Sequence, residues 1–246
     1  MVKDKHAVIS GGGSGVGAEI ARLFASAGAK VTILGRTEAS LKAQDAPYQV
    51  CDVTDSDAVH TAFDAARKDQ GQIDIVVANA GAAESVPFSR MSSDQLESML
   101  SVNLVGVFNT WQAALPDMKK SGWGRMIAIA STAGLKGFPY VSAYCAAKHG
   151  VVGMTKALAI ELASTGITVN SICPGFIETP LLERSIENIM SKTGMDREAA
   201  AKSLRTGNPQ DRFIQTDEVA QTALWLASDA ARSVNGHALS ISGGEI

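Results

Sequence analysis

The sequence predicts an α/β fold: about seven parallel strands in one doubly wound sheet, with helices on both faces. Three observations predict it. Short runs rich in Val and Ile alternate with longer amphipathic runs along the whole chain. The short runs are almost continuously apolar, which marks strands covered on both faces. A glycine-rich turn, residues 11–17, joins the first short run to the first amphipathic one.

Strands are expected at 6–10, 30–35, 48–53, 73–81, 125–131, 167–175 and 237–243. Helical patterns fill the intervals. Residues 18–24 continue the glycine turn as an amphipathic run. In 57–68, Ala58, Val59, Ala62, Phe63 and Ala66 share one face, with Asp55 or Ser56 as N-cap. In 94–111, Leu96, Met99, Leu100, Leu104, Val107, Phe108 and Trp111 form a stripe that Asn103 interrupts. Residues 142–163 and 217–227 complete the helices, the last expected to be capped by Thr216. No repeat, linker or low-complexity tract breaks the rhythm, so 1–246 is read as one domain. Residues 176–213 stand apart, with helical pattern but no strand. An excursion of that length after a strand reads as a substrate lid.

The chain has 246 residues, 46% hydrophobic and 19% charged, enough for a large core. A net charge of −3 without a basic run argues against a nucleic-acid partner. No stretch reaches the roughly 18 apolar residues of a membrane span, and no signal-like segment opens the chain. Cys51, Cys145 and Cys173 are scattered, without metal-ligand spacing. They predict no metal site and no disulfide framework, and a reducing cytoplasm as location.

The glycine turn carries the first functional signal. Unpaired N–H groups at the positive end of a helix suit a pyrophosphate, and missing side chains let the backbone approach it. The register is Gly11, Gly15 and Gly17, or alternatively Gly13, Gly15 and Ala18. The bland alternative is a flexible surface loop. The second strand ends Gly35-Arg36, with no acid until Glu38. A carboxylate there would bind the ribose hydroxyls of NAD; glycine followed by arginine suits a 2′-phosphate. NADP(H) is therefore favoured, with NAD(H) open if Arg36 is simply solvated. Asp52 is placed to accept from an adenine amino group or to cap the next helix.

These residues together resemble the short-chain dehydrogenase/reductase family, over nearly the whole chain. "SGGGSGVG" (10–17) resembles its glycine motif and selects Gly11, Gly15 and Gly17. "ANAG" (78–81), Asn103, Ser131, the Tyr144-x-x-x-Lys148 pair and "PGFIETP" (174–180) resemble its other motifs. Ser10 stands where threonine is usual, and Ala78 where the first of two asparagines is usual. The resemblance implies a Rossmann-type domain and a catalytic set of Asn103, Ser131, Tyr144 and Lys148. It also implies cofactor contacts at Gly11, Ser14, Gly15, Val16, Gly17, Arg36, Asp52, Val53, Asn79, Ala80, Gly81, Tyr144, Lys148, Pro174, Gly175, Ile177 and Thr179. Residues 146–181 look closest to bacterial ketoreductases of 3-oxoacyl thioesters, polyketide ketoreductases among them, and to 3-hydroxybutyrate-type dehydrogenases. Family members are often homotetramers, packed through the helices here at about 94–118 and 142–163.

Hydride transfer to a carbonyl carbon must be matched by a proton at oxygen. A free tyrosine, with a pKa near about 10, is a poor base at neutral pH. An (i, i+4) spacing puts Tyr144 and Lys148 on one helix face, so the ammonium is expected to lower the phenol's pKa. The resemblance gives Ser131 the substrate oxygen, Lys148 the ribose, and Asn103 a water between Lys148 and solvent. The alternatives are a half-buried aromatic beside a snorkelling lysine, and a satisfied core amide. His149, about 100° around the helix from Lys148, is expected to pack or face solvent. Ile189, Met190 and Met195 are expected in the lid's own core. Lys192, Arg197, Lys202 and Arg205 suit a phosphorylated carrier; alternating with Glu183, Glu187, Asp196 and Glu198, they suit a solvated helix pair equally. The function expected is NAD(P)-dependent interconversion of a 3-oxoacyl and a 3-hydroxyacyl thioester, on coenzyme A or a carrier protein. The alternatives are reduction of a small, cyclic or aromatic ketone, a same-fold epimerase, and a non-catalytic dinucleotide sensor.

Overall fold

A computed structural model describes residues 2–246. Seven strands form one sheet: β1 (His6–Ser10), β2 (Lys30–Gly35), β3 (Tyr48–Val50), β4 (Ile75–Ala78), β5 (Gly124–Ile129), β6 (Ile167–Pro174) and β7 (Ala238–Ile241). Their order is β3-β2-β1-β4-β5-β6-β7, and every pairing is parallel. The chain runs outward from β1 in one direction, then returns to β4 and continues in the other. That reversal opens a crevice beyond the C-terminal ends of β1 and β4, where ligands of open α/β sheets bind.

Five strands end sooner than expected: β3 stops at Val50, β4 at Ala78, β5 at Ile129, β6 at Pro174 and β7 at Ile241. Residues 51–53, 79–81 and 130–131 are apolar enough to read as strand, yet they leave the ladder at the crevice.

Nine helices connect the strands among the described residues: α1 (Gly15–Ser26), α2 (Glu38–Lys42), α3 (Ser56–Gln70), α4 (Ser93–Leu100), α5 (Gly106–Ser121), α6 (Ser142–Glu161), α7 (Pro180–Thr193), α8 (Arg197–Arg205) and α9 (Thr216–Ala227). Side chains alternate across the sheet with period two. Val8 joins a core with Phe63 of α3, Trp111 of α5 and Val151 of α6. Ala7 and Ile9 join the opposite core, with Phe24 of α1 and Leu226 of α9. Leu182 and Ile186 of α7 pack on Ala200 and Ala201 of α8 in a separate small cluster, with Ile189 and Met190 at its margin. Met195 lies outside it, 45% exposed beyond the left-handed Gly194 that ends α7.

The helix ends follow local chemistry. Asp55 caps α3, its carboxylate accepting from the N–H groups of Asp57 and Ala58. The cap of α9 is Gln215, not Thr216: Gln215 and Glu218 exchange side-chain and backbone bonds in a capping box. The expected continuous stripe at 94–111 is broken. A π-turn, Ser101–Val105, separates α4 from α5. Its extra residue shifts the phase, so Met99, Val107 and Trp111 are buried while Leu96 and Phe108 reach solvent.

Candidate active site

The glycine turn lies in the crevice with the geometry its residues require. Gly11 and Gly15 have φ of +67° and +54°, a region that side chains disfavour. A Cβ on Gly17 would overlap the Gly11 carbonyl and the Asn79 amide. Ser14 N-caps α1 without a side-chain hydrogen bond to the helix, which leaves the first-turn N–H groups for a ligand's oxygens. Thr179 reaches the same turn, its methyl 3.4 Å from where a Gly15 Cβ would stand.

Ser10 and Asn79 staple this turn to the segment after β4. The Ser10 hydroxyl accepts from the N–H groups of Asn79 (3.0 Å) and Ala80 (3.1 Å). The Asn79 amide donates to the carbonyls of Ser10 (3.0 Å) and Gly11 (3.2 Å). The turn is thereby held with alanine at position 78, which is buried in β4.

At one end of the crevice, Gly35, Arg36, Asp52, Val53, Ala80 and Val102 line a shared depression. Cys51 lines it as well; neither it nor Val102 was expected there, and their places beside Asp52 and Asn103 were the available signal. Asp52 does not cap α3. One carboxylate oxygen accepts from the Thr54 N–H (2.9 Å) and hydroxyl (2.8 Å), and the other faces the Arg36 guanidinium at 3.8 Å. Burial pushes this carboxyl up, but the Thr54 bonds and Arg36 outweigh it and hold it below its ordinary range. Arg36 itself is 67% exposed. Glu38, the first acid after β2, is occupied by Lys42 (3.0 Å) and the Tyr48 hydroxyl (3.3 Å).

At the other end, the loop after β5 meets α6. Ser131 caps a short 3-10 turn, its hydroxyl accepting from the Ala133 N–H at 3.1 Å, and it lies close enough to the Tyr144 phenol to draw that group's pKa down. Lys148, one helical turn on, is 3% exposed. Its ammonium donates to the Ile129 carbonyl at 2.9 Å and stands 5.6 Å from the centre of the Tyr144 ring. Burial pushes the Tyr144 phenol up to about 12, against the nearby Ser131 hydroxyl, which draws it down. Burial also lowers Lys148 to about 8. The expected fall in the tyrosine's pKa is therefore not found: desolvation dominates at both groups. Cys173 packs nearby, its buried thiol pushed up mainly by desolvation.

Asn103 is fully buried in the π-turn. Its oxygen accepts from the Ala82 N–H (3.2 Å), and its amide donates to the carbonyls of Ala82 (2.9 Å) and Met99 (3.1 Å). The side chain thus clasps the segment after β4. Gly81 lies between Asn103 and Lys148: a Cβ there would be 2.9 Å from the Asn103 oxygen and 3.8 Å from the ammonium. His149 is exposed, with Nδ1 bonded to the Cys145 carbonyl, and stays outside the site. Within 176–213, Arg197 pairs with Glu183 (2.5 Å), and Arg205 with Glu198 (2.7 Å) and Asp211 (3.2 Å). These two arginines belong to a solvated, internally paired helix pair. The backbone ties the two ends of this segment: the Glu178 N–H donates to the Ile214 carbonyl, and the Ile214 N–H to the Phe176 carbonyl, both at 2.9 Å.

No group of three or more His, Cys, Asp or Glu is arranged for a metal ion among the described residues. No helix there is long and apolar enough to cross a membrane.

Residues 11–245 match the family model described as enoyl-(acyl carrier protein) reductase. The chain is 38% identical to the D-beta-hydroxybutyrate dehydrogenase of Rhizobium meliloti, over 98% of both chains. It is 36% identical to the 3-oxoacyl-(acyl-carrier-protein) reductase of Thermotoga maritima, over 99% of this chain and 98% of that one. Its fold matches a crystal structure of a point variant of actinorhodin polyketide ketoreductase with NADPH at a TM-score of 0.94. That pair is 33% identical, with 100% of this chain and 99% of the other covered.

Proposed function

From a chain that belongs to the short-chain dehydrogenase/reductase family, oxidoreductases acting on CH–OH groups, we propose an NADPH-dependent reductase of 3-oxoacyl thioesters with Tyr144 as its acid. The observation that carries this reading is the Tyr144 phenol beside Ser131 and one turn from the buried Lys148, at the crevice that the glycine turn lines.

The dinucleotide supplies the hydride when bound. The chain's own residues handle the proton and the geometry. Tyr144 keeps its proton up to about pH 12, so the acid needed for ketone reduction is present at neutral pH. The reverse oxidation needs the phenolate, so its rate climbs with pH across the neutral range. The Ser131 hydroxyl offers a second donor to the same carbonyl oxygen, where negative charge grows. Lys148 is charged below about pH 8 and fixed by the Ile129 carbonyl, which favours the phenolate as the proton leaves. Asn103 acts as a positioning residue for the loop that adjoins Lys148.

The thioester substrate is supported by relatives named for 3-oxoacyl and 3-hydroxybutyrate chemistry. NADPH over NADH is supported by Arg36, whose guanidinium stands free of a tight carboxylate pair, and by Glu38, which is turned to its own partners. Residues 176–213 serve as the substrate lid of a single catalytic domain. The three cysteines carry no disulfide, which suits a reducing cytoplasm.

Two substitutions test the reading. Tyr144→Phe should lower ketone turnover about 10³-fold, within the range of one acid–base group, while NADPH affinity by nicotinamide fluorescence stays unchanged. Retained turnover overturns the assignment. Arg36→Leu should raise the KM for NADPH about tenfold, the scale of one charge-assisted phosphate contact, and leave the KM for NADH in place. An equal change for both cofactors removes the 2′-phosphate role.

A further inference from the structure

The substrate side of the crevice is tied together by a carboxylate that none of the sequence motifs contains. After β7, Glu245 folds back with its side chain only 7% exposed and pairs with the Lys136 ammonium at 2.8 Å. Lys136 lies in the loop that begins at Ser131. It sits 4.9 Å over the ring of Phe138, which meets Phe176 edge-on at 6.5 Å. The same carboxylate lies against the residue that precedes 176–213 and against the turn after α8 within it. A Cβ on Gly175 would lie 3.5 Å from one of its oxygens, and a Cβ on Gly207 only 2.6 Å from the other. The Ser242 hydroxyl, accepting from the Ile246 N–H at 3.3 Å, braces the segment. One nearly buried charge thus meets the loop after Ser131, the entry of the lid and the turn after α8 within it. An exposed ion pair would contribute little, but a buried carboxylate that loses its partner is left uncompensated.

We propose that Glu245 is a positioning residue for the carbonyl substrate: bonded to Lys136, it holds 176–213 over Ser131 and Tyr144. The inference rests on the reading of Tyr144 as the acid. Glu245→Gln and Lys136→Met should each raise the KM for the ketone about tenfold, the scale expected when a reactant loses its alignment. Turnover at saturation and NADPH affinity should stay close to wild type. The double variant should be no worse than either single one. Gly207→Ala keeps both charges and a φ that alanine tolerates, yet pushes the carboxylate aside; it should raise KM in the same way. This variant and Lys136→Met carry the test if Glu245→Gln does not fold. Limited trypsin digestion, read at sites within 176–213, gives an arm independent of activity: cleavage should be faster in every variant. Unchanged KM and unchanged cleavage overturn the proposal. If Tyr144→Phe stays active while lid cleavage accelerates in the Glu245 variants, the acid assignment fails and the latch on the lid stands.

Discussion

Tyr144 and Lys148 show how the same two residues read differently as a spacing and as a packed pair. The spacing places an ammonium one turn from a phenol, and the phenol's pKa should then fall. In the fold desolvation is the largest influence on both groups, raising the phenol's pKa and lowering the ammonium's. Lys148 carries a measurable stability signature of this. Its folded form loses the proton near about pH 8, while the unfolded chain keeps it to about 10.5. Between those values the unfolded state binds more protons, so stability rises with pH; below about 8 the full penalty of the buried charge persists. Wild type should therefore gain on Lys148→Met by about 2 kcal/mol between about pH 7.5 and about pH 9.5, by urea denaturation. A constant gap would mean that Lys148 titrates normally in the fold. Ser10 teaches a related lesson: as a motif letter it was a departure from threonine, and in the fold it and Asn79 staple the turn.

At the level of elements, Asn103 was legible as a polar intruder in an apolar stripe, but the π-turn around it was not. Helical periodicity assumes a constant 3.6 residues per turn, and one inserted residue leaves no mark on composition. The π-turn puts the Asn103 amide within reach of both Ala82 backbone groups. Asn103→Ala would leave those groups unpaired and should lower stability by about 1–3 kcal/mol. Ketone turnover should fall with it, because the loop beside Lys148 loses its clasp. Unaltered stability by urea denaturation would show that the loop holds itself. Helix α2 went unread because five residues make little more than one turn, too short for a periodic pattern. The ends of β3, β4 and β5 were overread for the opposite reason. Apolar residues that line a crevice look, in sequence, like those that continue a strand.

Across the whole molecule, two cores clamp one sheet, and apolar side chains remain on the α4–α5 and α6 surfaces. Ile160 is 80% exposed, with Phe108 at 46% and Val105 at 41%. Such residues suit a subunit interface, and a tetramer is the proposed assembly. Sedimentation should give a four-chain species, and Phe108→Glu with Ile160→Lys should yield smaller ones. A wild-type monomer overturns that assembly. What the sequence by itself determined was the parallel α/β fold and the glycine turn, with Ser131, Tyr144 and Lys148 as candidates that the family resemblance supplied. Those depend on local pattern and on residue types at short spacing, which survive in one dimension. The tertiary structure alone decided the rest: which carboxylate Arg36 faces, that burial raises the Tyr144 pKa, and that Glu245 reaches Lys136 from 109 positions away. These depend on desolvation and on contacts between distant segments, and neither is set until the sheet brings its loops to one edge.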